Sequence, residues 1–143
     1  PDLDLDRYSL PRIAAAPIDV DFHHLDAEHL PFEADRFDTV VSTFTLCSIP
    51  DVAHALREIR RVLKPGGQFL FLEHGRSPDP GVARWQDRLN SSWMPLAGGC
   101  HLNRPTRELV AEAGLELGPL RNYYLKRAPR FVGYMTEGFA LKQ

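Results

Sequence analysis

The clearest rhythm in the chain lies between residues 51 and 64, where Val52, Leu56, Ile59, Val62 and Leu63 recur at helical spacing. They form one apolar stripe, with His54, Arg57, Glu58 and Arg61 facing away, which predicts an amphipathic helix. Asp51 stands where an N-cap belongs. Pro65-Gly66-Gly67 follows as a stop, with glycine supplying a left-handed exit. On both sides the rhythm changes. Residues 37–43, rich in β-branched side chains, predict a buried strand. Residues 68–73 are apolar on both faces, as in a central parallel strand.

The flanks are read in the same way. A short helix or turn is expected near residues 3–10, then a strand over 20–25 ended by Asp26-Ala27-Glu28. A second helix is expected over 81–95, carrying Val82, Trp85, Leu89, Trp93 and Leu96 at helical spacing. Packing on the sheet and lining of a pocket are the favoured roles for that stripe. Arg84 and Arg88 are offset by Asp87, so the basic face of a membrane-binding helix is missing. A Gly98-Gly99-Cys100-His101 loop precedes a third helix over 106–113, closed by Gly114. Strands over 116–124 and 131–139 are joined by a turn too short for a crossover, so they should pair antiparallel. Alternating strands and helices ahead of them imply parallel pairing. The fold class expected is α/β, a Rossmann-like sheet with a C-terminal antiparallel strand pair.

Composition narrows the function classes. The chain has 143 residues, 43% of them apolar and 25% charged, an ordinary globular balance. Net charge is −2, which gives no reason to expect nucleic acid as a partner. No apolar run approaches the length of a membrane span, so no integral membrane segment is expected. Cys47 and Cys100 look too few and too isolated for a disulfide framework or a zinc site; no metal is expected, and a reducing, cytoplasmic setting suits them. Pro1 in place of Met suggests a fragment or a processed product.

Three segments fall at strand carboxyl ends, where open α/β sheets bind ligands. They are Leu25-Asp26-Ala27-Glu28-His29-Leu30-Pro31-Phe32, then Ser42-Thr43-Phe44 with the residues up to Ile49, and the strand ending Leu72-Glu73-His74. Through "DAEHLPF", "FDTVVS" and "RVLKPGG" at these separations, residues 20–140 resemble class I S-adenosylmethionine-dependent methyltransferases, in the branch of the ubiquinone/menaquinone C-methyltransferases. Further on, "LCSI", "LEHG" and "GCHLNR" are similar to the methyltransferase-like thiol methyltransferases.

The resemblance implies S-adenosylmethionine as cofactor, with Asp26 accepting a hydrogen bond from the adenine amino group, a role that suits an acceptor-only carboxylate. It implies that the Ala27 N–H meets an adenine ring nitrogen, and that Glu28 and Leu30 line the rim. Ser42, Thr43 and Phe44 fall where the family passes the methionine part, with backbone carbonyls for its amino group and Phe44 near the sulfonium. Structural alternatives stand beside these roles: Asp26 as a loop acid or cap, Phe44 as core filling. Asp38, at a strand start, and the Lys64-Pro65-Gly66-Gly67 turn, which follows a helix rather than opening one, are left out of the site. Methyl transfer needs alignment first and a base only where the acceptor must lose a proton. His74 and His101 are the weak candidates for such a base, with Cys100 and Tyr123 behind them.

The chain departs from the family in one respect. No glycine-rich turn occurs before Asp26, and no secure counterpart exists for the acid that holds the ribose hydroxyls. The resemblance then implies that the first βαβ unit, about 30 residues or more, is lacking. Residues 1–143 are accordingly expected to be a single partial methyltransferase domain, its C-terminal two-thirds, inactive alone. The missing strands would lie between the 20–25 and 37–43 strands, leaving sheet edges exposed and open to oligomerisation. The function expected of the intact protein is methyl transfer to a small-molecule acceptor: a thiol, a phenol or quinone ring carbon, a lipid amine or another metabolite. A non-catalytic methyltransferase-like binding or oligomerisation module is the alternative. A nicotinamide-dependent oxidoreductase fits less well, since its fingerprint is absent.

Overall fold

The computed structural model describes residues 6–143, beginning with helix α1, Asp6–Ala14. The first part of the helix or turn expected over 3–10 falls outside the described residues. After α1 the chain runs without regular structure to strand β1, Phe37–Thr43. Helix α2, Val52–Val62, follows, then strand β2, Leu63–His74. Helices α3, Pro80–Trp93, and α4, Thr106–Glu112, lead to strands β3, Leu115–Tyr124, and β4, Tyr134–Lys142. The four strands form one mixed sheet in the order β1-β2-β4-β3. β1 and β2 are parallel, with Val40 opposite Phe69 and Thr43 opposite Leu72. β4 pairs antiparallel with both β2 and β3. The α/β class and the antiparallel C-terminal pair are therefore as expected.

The stripe on α2 explains the core. Val52, Leu56, Ile59 and Val62 are buried, and Leu56 packs with Leu46, Leu63, Phe69, Phe71, Val110 and Leu115. Asp51 caps the helix by accepting from the His54 N–H at 2.9 Å. The helix stops at Val62, earlier than the glycines suggest: Leu63 is already extended (φ −69, ψ 140). Lys64 precedes Pro65, whose ring disfavours a helical residue before it. The left-handed glycine is Gly66 (φ 75), and it shapes the entry of β2 instead.

Two expectations are corrected. Residues 20–25 form no strand; Val20, Phe22 and Leu25 are exposed. A strand is stabilised by its ladder, and the described sheet of four strands does not include this segment. Likewise β2, up to Leu72, is buried on one face only. Phe69 and Phe71 point into the core, while Gln68 and Leu70 alternate outward and are exposed, as is Val41 of β1.

The stripe on α3 also departs from its expected role. The helix buries Ala83 and Gln86. Trp85 is 57% exposed, Leu96 beyond the helix is exposed, and Leu89 and Trp93 are half-buried. Gln86 docks the helix with hydrogen bonds: it accepts from the Ser77 N–H at 2.9 Å and donates to the carbonyls of Gly75 and Phe131. A satisfied amide among buried backbone groups replaces the apolar contact that periodicity suggests.

Leu56 is fully buried at the centre of the core. Leu56→Ala is expected to reduce the unfolding free energy by about 2–5 kcal/mol. Urea unfolding checks this, as a lowered midpoint with an unchanged slope.

Candidate functional site

The loop over residues 26–32 has no sheet to rest on, and α2 holds it instead. The Glu58 carboxylate accepts from the Leu30 N–H at 3.1 Å and from Arg61 Nε at 2.6 Å. Arg61 donates to the carbonyls of Phe32 at 2.7 Å and Leu30 at 3.0 Å. These two side chains, polar on the helix pattern, face the loop rather than bulk water alone. Glu28 adds a third tie, accepting from the Asp51 N–H at 2.9 Å. Asp26 accepts from the Glu28 N–H at 2.9 Å, an Asx-type turn, and lies 3.1 Å from the His29 ring. The Asp26 carboxylate so fills a structural role while staying largely exposed, with lone pairs left for a ligand.

At the carboxyl end of β1 the chain turns sharply. Phe44 adopts a left-handed conformation (φ 53), uncommon for a large side chain, and its ring is 53% exposed. The Phe44 N–H still donates to the Leu72 carbonyl at 3.0 Å, so the strain sits on a fixed backbone. Ser42 Oγ donates to Glu73 Oε1 at 2.7 Å, and the Thr45 N–H donates to the same oxygen at 3.0 Å. Glu73 is fully buried, and its second oxygen has no hydrogen-bond partner in the structure. Thr43 offers its carbonyl to Thr45 Oγ1 at 2.9 Å.

These segments meet around a cavity of about 380 Å³, walled by Leu25, Asp26, Ala27 and Glu28 on one side and by Phe44, Thr45, Ser48, Ile49 and Pro50 on the other. Asp26, Ala27, Glu28 and Phe44 are thus brought together; Ser42 and Thr43 lie just behind, Ser42 buried with its hydroxyl spent on Glu73. The donor set suits a nucleoside at one end and an ammonium or sulfonium group near the strand end: a carboxylate, turn amides and carbonyls, and an exposed ring. These residues fit S-adenosylmethionine at its adenine and methionine ends. Nothing in the chain before Gly66 supplies a glycine turn for the ribose side.

The acceptor-side candidates separate. Tyr123 donates to Glu137 at 3.0 Å on β3, away from this turn. His101 is pinned, its N–H donating to the Cys47 carbonyl at 2.8 Å and its ring 3.4 Å from the Asn90 amide. Burial, and then the Arg104 cation, lower its pKa. The Gly98-Gly99-Cys100-His101 loop is therefore fastened to the turn after β1 and to α3. Arg104, absent from the sequence-based site, is 9% exposed and donates to the Leu46 carbonyl at 2.5 Å. Asp87 ties the loop to α3 and β2 through Asn103 and Arg76, whose guanidinium first, and Asn103 second, hold its carboxyl down to about 2. Gly75 marks the closest approach: a Cβ there would lie 2.6 Å from the Arg104 carbonyl.

The isolation of the cysteines is overturned. Cys47 and Cys100 sulfurs lie 3.3 Å apart, and His74 Nε2 lies 2.7 Å from Cys100 Sγ. The fold closes gaps of 53 and 26 residues to make this cluster. A hydrogen bond shared with Cys47 brings the Cys100 thiol down to about 7. The same contact, with burial, pushes Cys47 up to about 12. No local spacing signals this: His74 ends β2, Cys47 lies in the turn after β1 and Cys100 in the loop between α3 and α4.

The Asp26–His29 pair has a definite pH window. The Glu28 amide and then His29 lower the Asp26 pKa below 3.8, and Asp26 raises that of His29 above 6.5. The carboxylate part is present above pH 3.8 and is lost as pH falls through the lowered Asp26 value. The imidazolium part is present below 6.5 and is lost as pH rises through the raised His29 value. Proton NMR titration should place His29 above 6.5, and Asp26→Asn should return it to about the ordinary value; an unmoved titration would show that Asp26 does not hold the ring.

Residues 2–71 match the family described as "Methyltransferase domain". A thiol S-methyltransferase of Rattus norvegicus is 37% identical over 102 residues, which cover 67% of this chain and 42% of the relative. The ubiquinone/menaquinone biosynthesis C-methyltransferase UbiE of Ectopseudomonas mendocina (strain ymp) is 44% identical over 79 residues, 55% of this chain and 31% of that protein. The chain spans less than half the length of these curated relatives. Among solved structures, a SAM-dependent methyltransferase from Methanosarcina mazei superposes with a TM-score of 0.72 at 19% identity, covering 99% of this chain and 78% of that one. That likeness carries the fold, a Rossmann-like methyltransferase sheet, and the sequence matches make residues 2–71 similar to the methyltransferase domain.

Proposed function

We propose that this chain is part of an enzyme that transfers a methyl group from S-adenosylmethionine to a small-molecule acceptor. The observation that carries the reading is the shared cavity of Asp26, Ala27 and Glu28 with Phe44 and Thr45 at the carboxyl edge of a parallel strand pair. In this reading Asp26 accepts from the adenine amino group and the Ala27 N–H donates to the ring. Glu28 and Leu30 line the rim. The carbonyls of Ser42 and Thr43 face the methionine ammonium, and Phe44 packs beside the sulfonium. Bound S-adenosylmethionine supplies a methyl group already activated by its sulfonium. The protein then aligns an acceptor with that methyl and excludes water. In this reading His74 and His101 are the weak candidates for a base, should the acceptor carry a proton to be removed.

A thiol acceptor is favoured over a quinone or phenol ring carbon and a lipid-like amine. Its support is that the match to the thiol S-methyltransferase runs over 102 residues, against 79 for the quinone enzyme. We further propose that the 143 residues form a single partial domain that does not turn over alone, since the glycine-rich turn for the ribose side is missing. Two free cysteines support a reducing, cytoplasmic setting, and among the described residues no helix is long and apolar enough to cross a membrane. The net charge of −2 supports a small molecule over nucleic acid.

A second reading, a non-catalytic binding or oligomerisation module, draws on the open edge of β1 and the exposure of Val41 and Leu70. Calorimetry with S-adenosylmethionine, on the chain and on any longer form its upstream reading frame encodes, separates the two. The enzyme reading expects binding by the longer form, weakened roughly tenfold by Asp26→Ala, the loss of about one charge-assisted hydrogen bond, with no binding of NADH. Turnover is then scored on a panel of thiols, phenols, quinols and lipid amines. Absence of cofactor binding, with a stable oligomer in size-exclusion chromatography, would favour the module.

A further inference from the structure

The cluster of Cys47, His74 and Cys100 plays no assigned part in cofactor binding, and its composition is that of a soft metal site. We propose that it binds a zinc ion through Cys47 Sγ, Cys100 Sγ and a ring nitrogen of His74. The three ligand atoms lie within 4.8 Å of one another, with the sulfurs 3.3 Å apart. Zinc–sulfur and zinc–nitrogen bonds in a tetrahedron separate such ligands by about 3.5–3.8 Å. The 2.7 Å contact of His74 Nε2 with Cys100 Sγ and the 3.3 Å sulfur contact have to open by roughly 0.5–0.9 Å to seat the ion.

Each ligand is fixed from behind. Cys47 is 3% exposed, and its carbonyl accepts from the His101 N–H at 2.8 Å. His74, 8% exposed, ends β2 in register with Met135. Cys100 follows a turn in which its own N–H donates to the Ala97 carbonyl at 3.1 Å. Such preorganisation lowers the ordering cost of binding. Two thiolates and an imidazole are the donor set that selects zinc over magnesium or calcium, which prefer oxygen.

Charge balances as well. Binding releases the two thiol protons, and Zn²⁺ with two thiolates is neutral. The Arg104 cation and the Glu73 carboxylate nearby offset each other. Three protein ligands leave the fourth tetrahedral position for a water or an external ligand, the arrangement of a reactive zinc rather than a closed structural one. The metal would join the turn after β1, the end of β2 and the loop before α4. The inference does not depend on the methyl-transfer reading, in which a zinc-bound His74 leaves the base role to His101, and its test uses no activity.

The chain is freed of metal with a chelator under reducing conditions and titrated with Co²⁺. Thiolate-to-cobalt charge-transfer bands and intense tetrahedral ligand-field bands are expected, saturating at one ion per chain and bleached by Zn²⁺. Cys47→Ser, Cys100→Ser and His74→Ala should each weaken binding roughly tenfold or more, with circular dichroism confirming a retained fold. X-ray absorption on the zinc-loaded wild type is a second reading that no variant can confound, expected to show two sulfur neighbours. Absence of charge-transfer bands from the folded wild type, a zinc shell of oxygen and nitrogen only, or a Cys47–Cys100 disulfide that forms in preference to metal binding under these conditions would overturn the site.

Discussion

The Glu73 carboxylate, sealed from water at the carboxyl end of β2, sets the arrangement on which the rest of the site depends. A buried anion is costly unless charge-assisted hydrogen bonds satisfy it, and it receives two on one oxygen, from Ser42 Oγ and the Thr45 amide. Both donors belong to the end of β1 and the turn after it. That turn is therefore drawn onto β2 at the position where Phe44 takes its left-handed conformation. Across the turn the Arg104 guanidinium binds the Leu46 and Pro50 carbonyls and supplies the opposite charge. Arg104 thereby ties the far side of the same turn to the loop before α4.

A second constraint replaces a missing ladder. Residues 26–32 carry the candidate adenine-binding groups, yet nothing in the described sheet pairs with the segment before them. Glu58 and Arg61 compensate by bonding backbone groups of Leu30 and Phe32 directly. Two of these contacts are guanidinium bonds to carbonyls two residues apart in the loop, and the fork geometry of Arg61 fixes direction as well as distance. Helix α2 thus works on two faces, burying Leu56 in the core and gripping the cofactor-side loop with its polar flank.

The sequence-based reading recovered what local pattern encodes. The 37–43 strand, the α2 stripe and the antiparallel pair all follow from side-chain period, turn chemistry or loop length, properties that reside in a few consecutive residues. The 20–25 strand failed because a strand requires a neighbour, and its Val20, Phe22 and Leu25 alternate without one. The α3 stripe failed because one buried amide, Gln86, docks the helix by hydrogen bonds that hydropathy does not register. Among candidate site residues, Asp26, Ala27, Glu28 and Phe44 were legible through their motif and share one cavity. Arg104 and the pairing of Cys47 with Cys100 were not, since their partners are 58 and 53 residues away in sequence.

The end of β2 joins the turn after β1 to the loop between α3 and α4. Along most of this strand burial alternates, as it must when one face of a sheet is covered. The alternation breaks at Glu73 and His74, which are buried in succession. Consecutive side chains point to opposite faces, so both faces are covered at this point alone: by the β1 turn over Glu73, and by Cys100 of the α3–α4 loop against His74. The same β1 turn carries Cys47, whose carbonyl holds His101 and whose sulfur meets Cys100. The turn beside Phe44 and the histidine and cysteine cluster are therefore joined by direct contacts, so their geometries are set together.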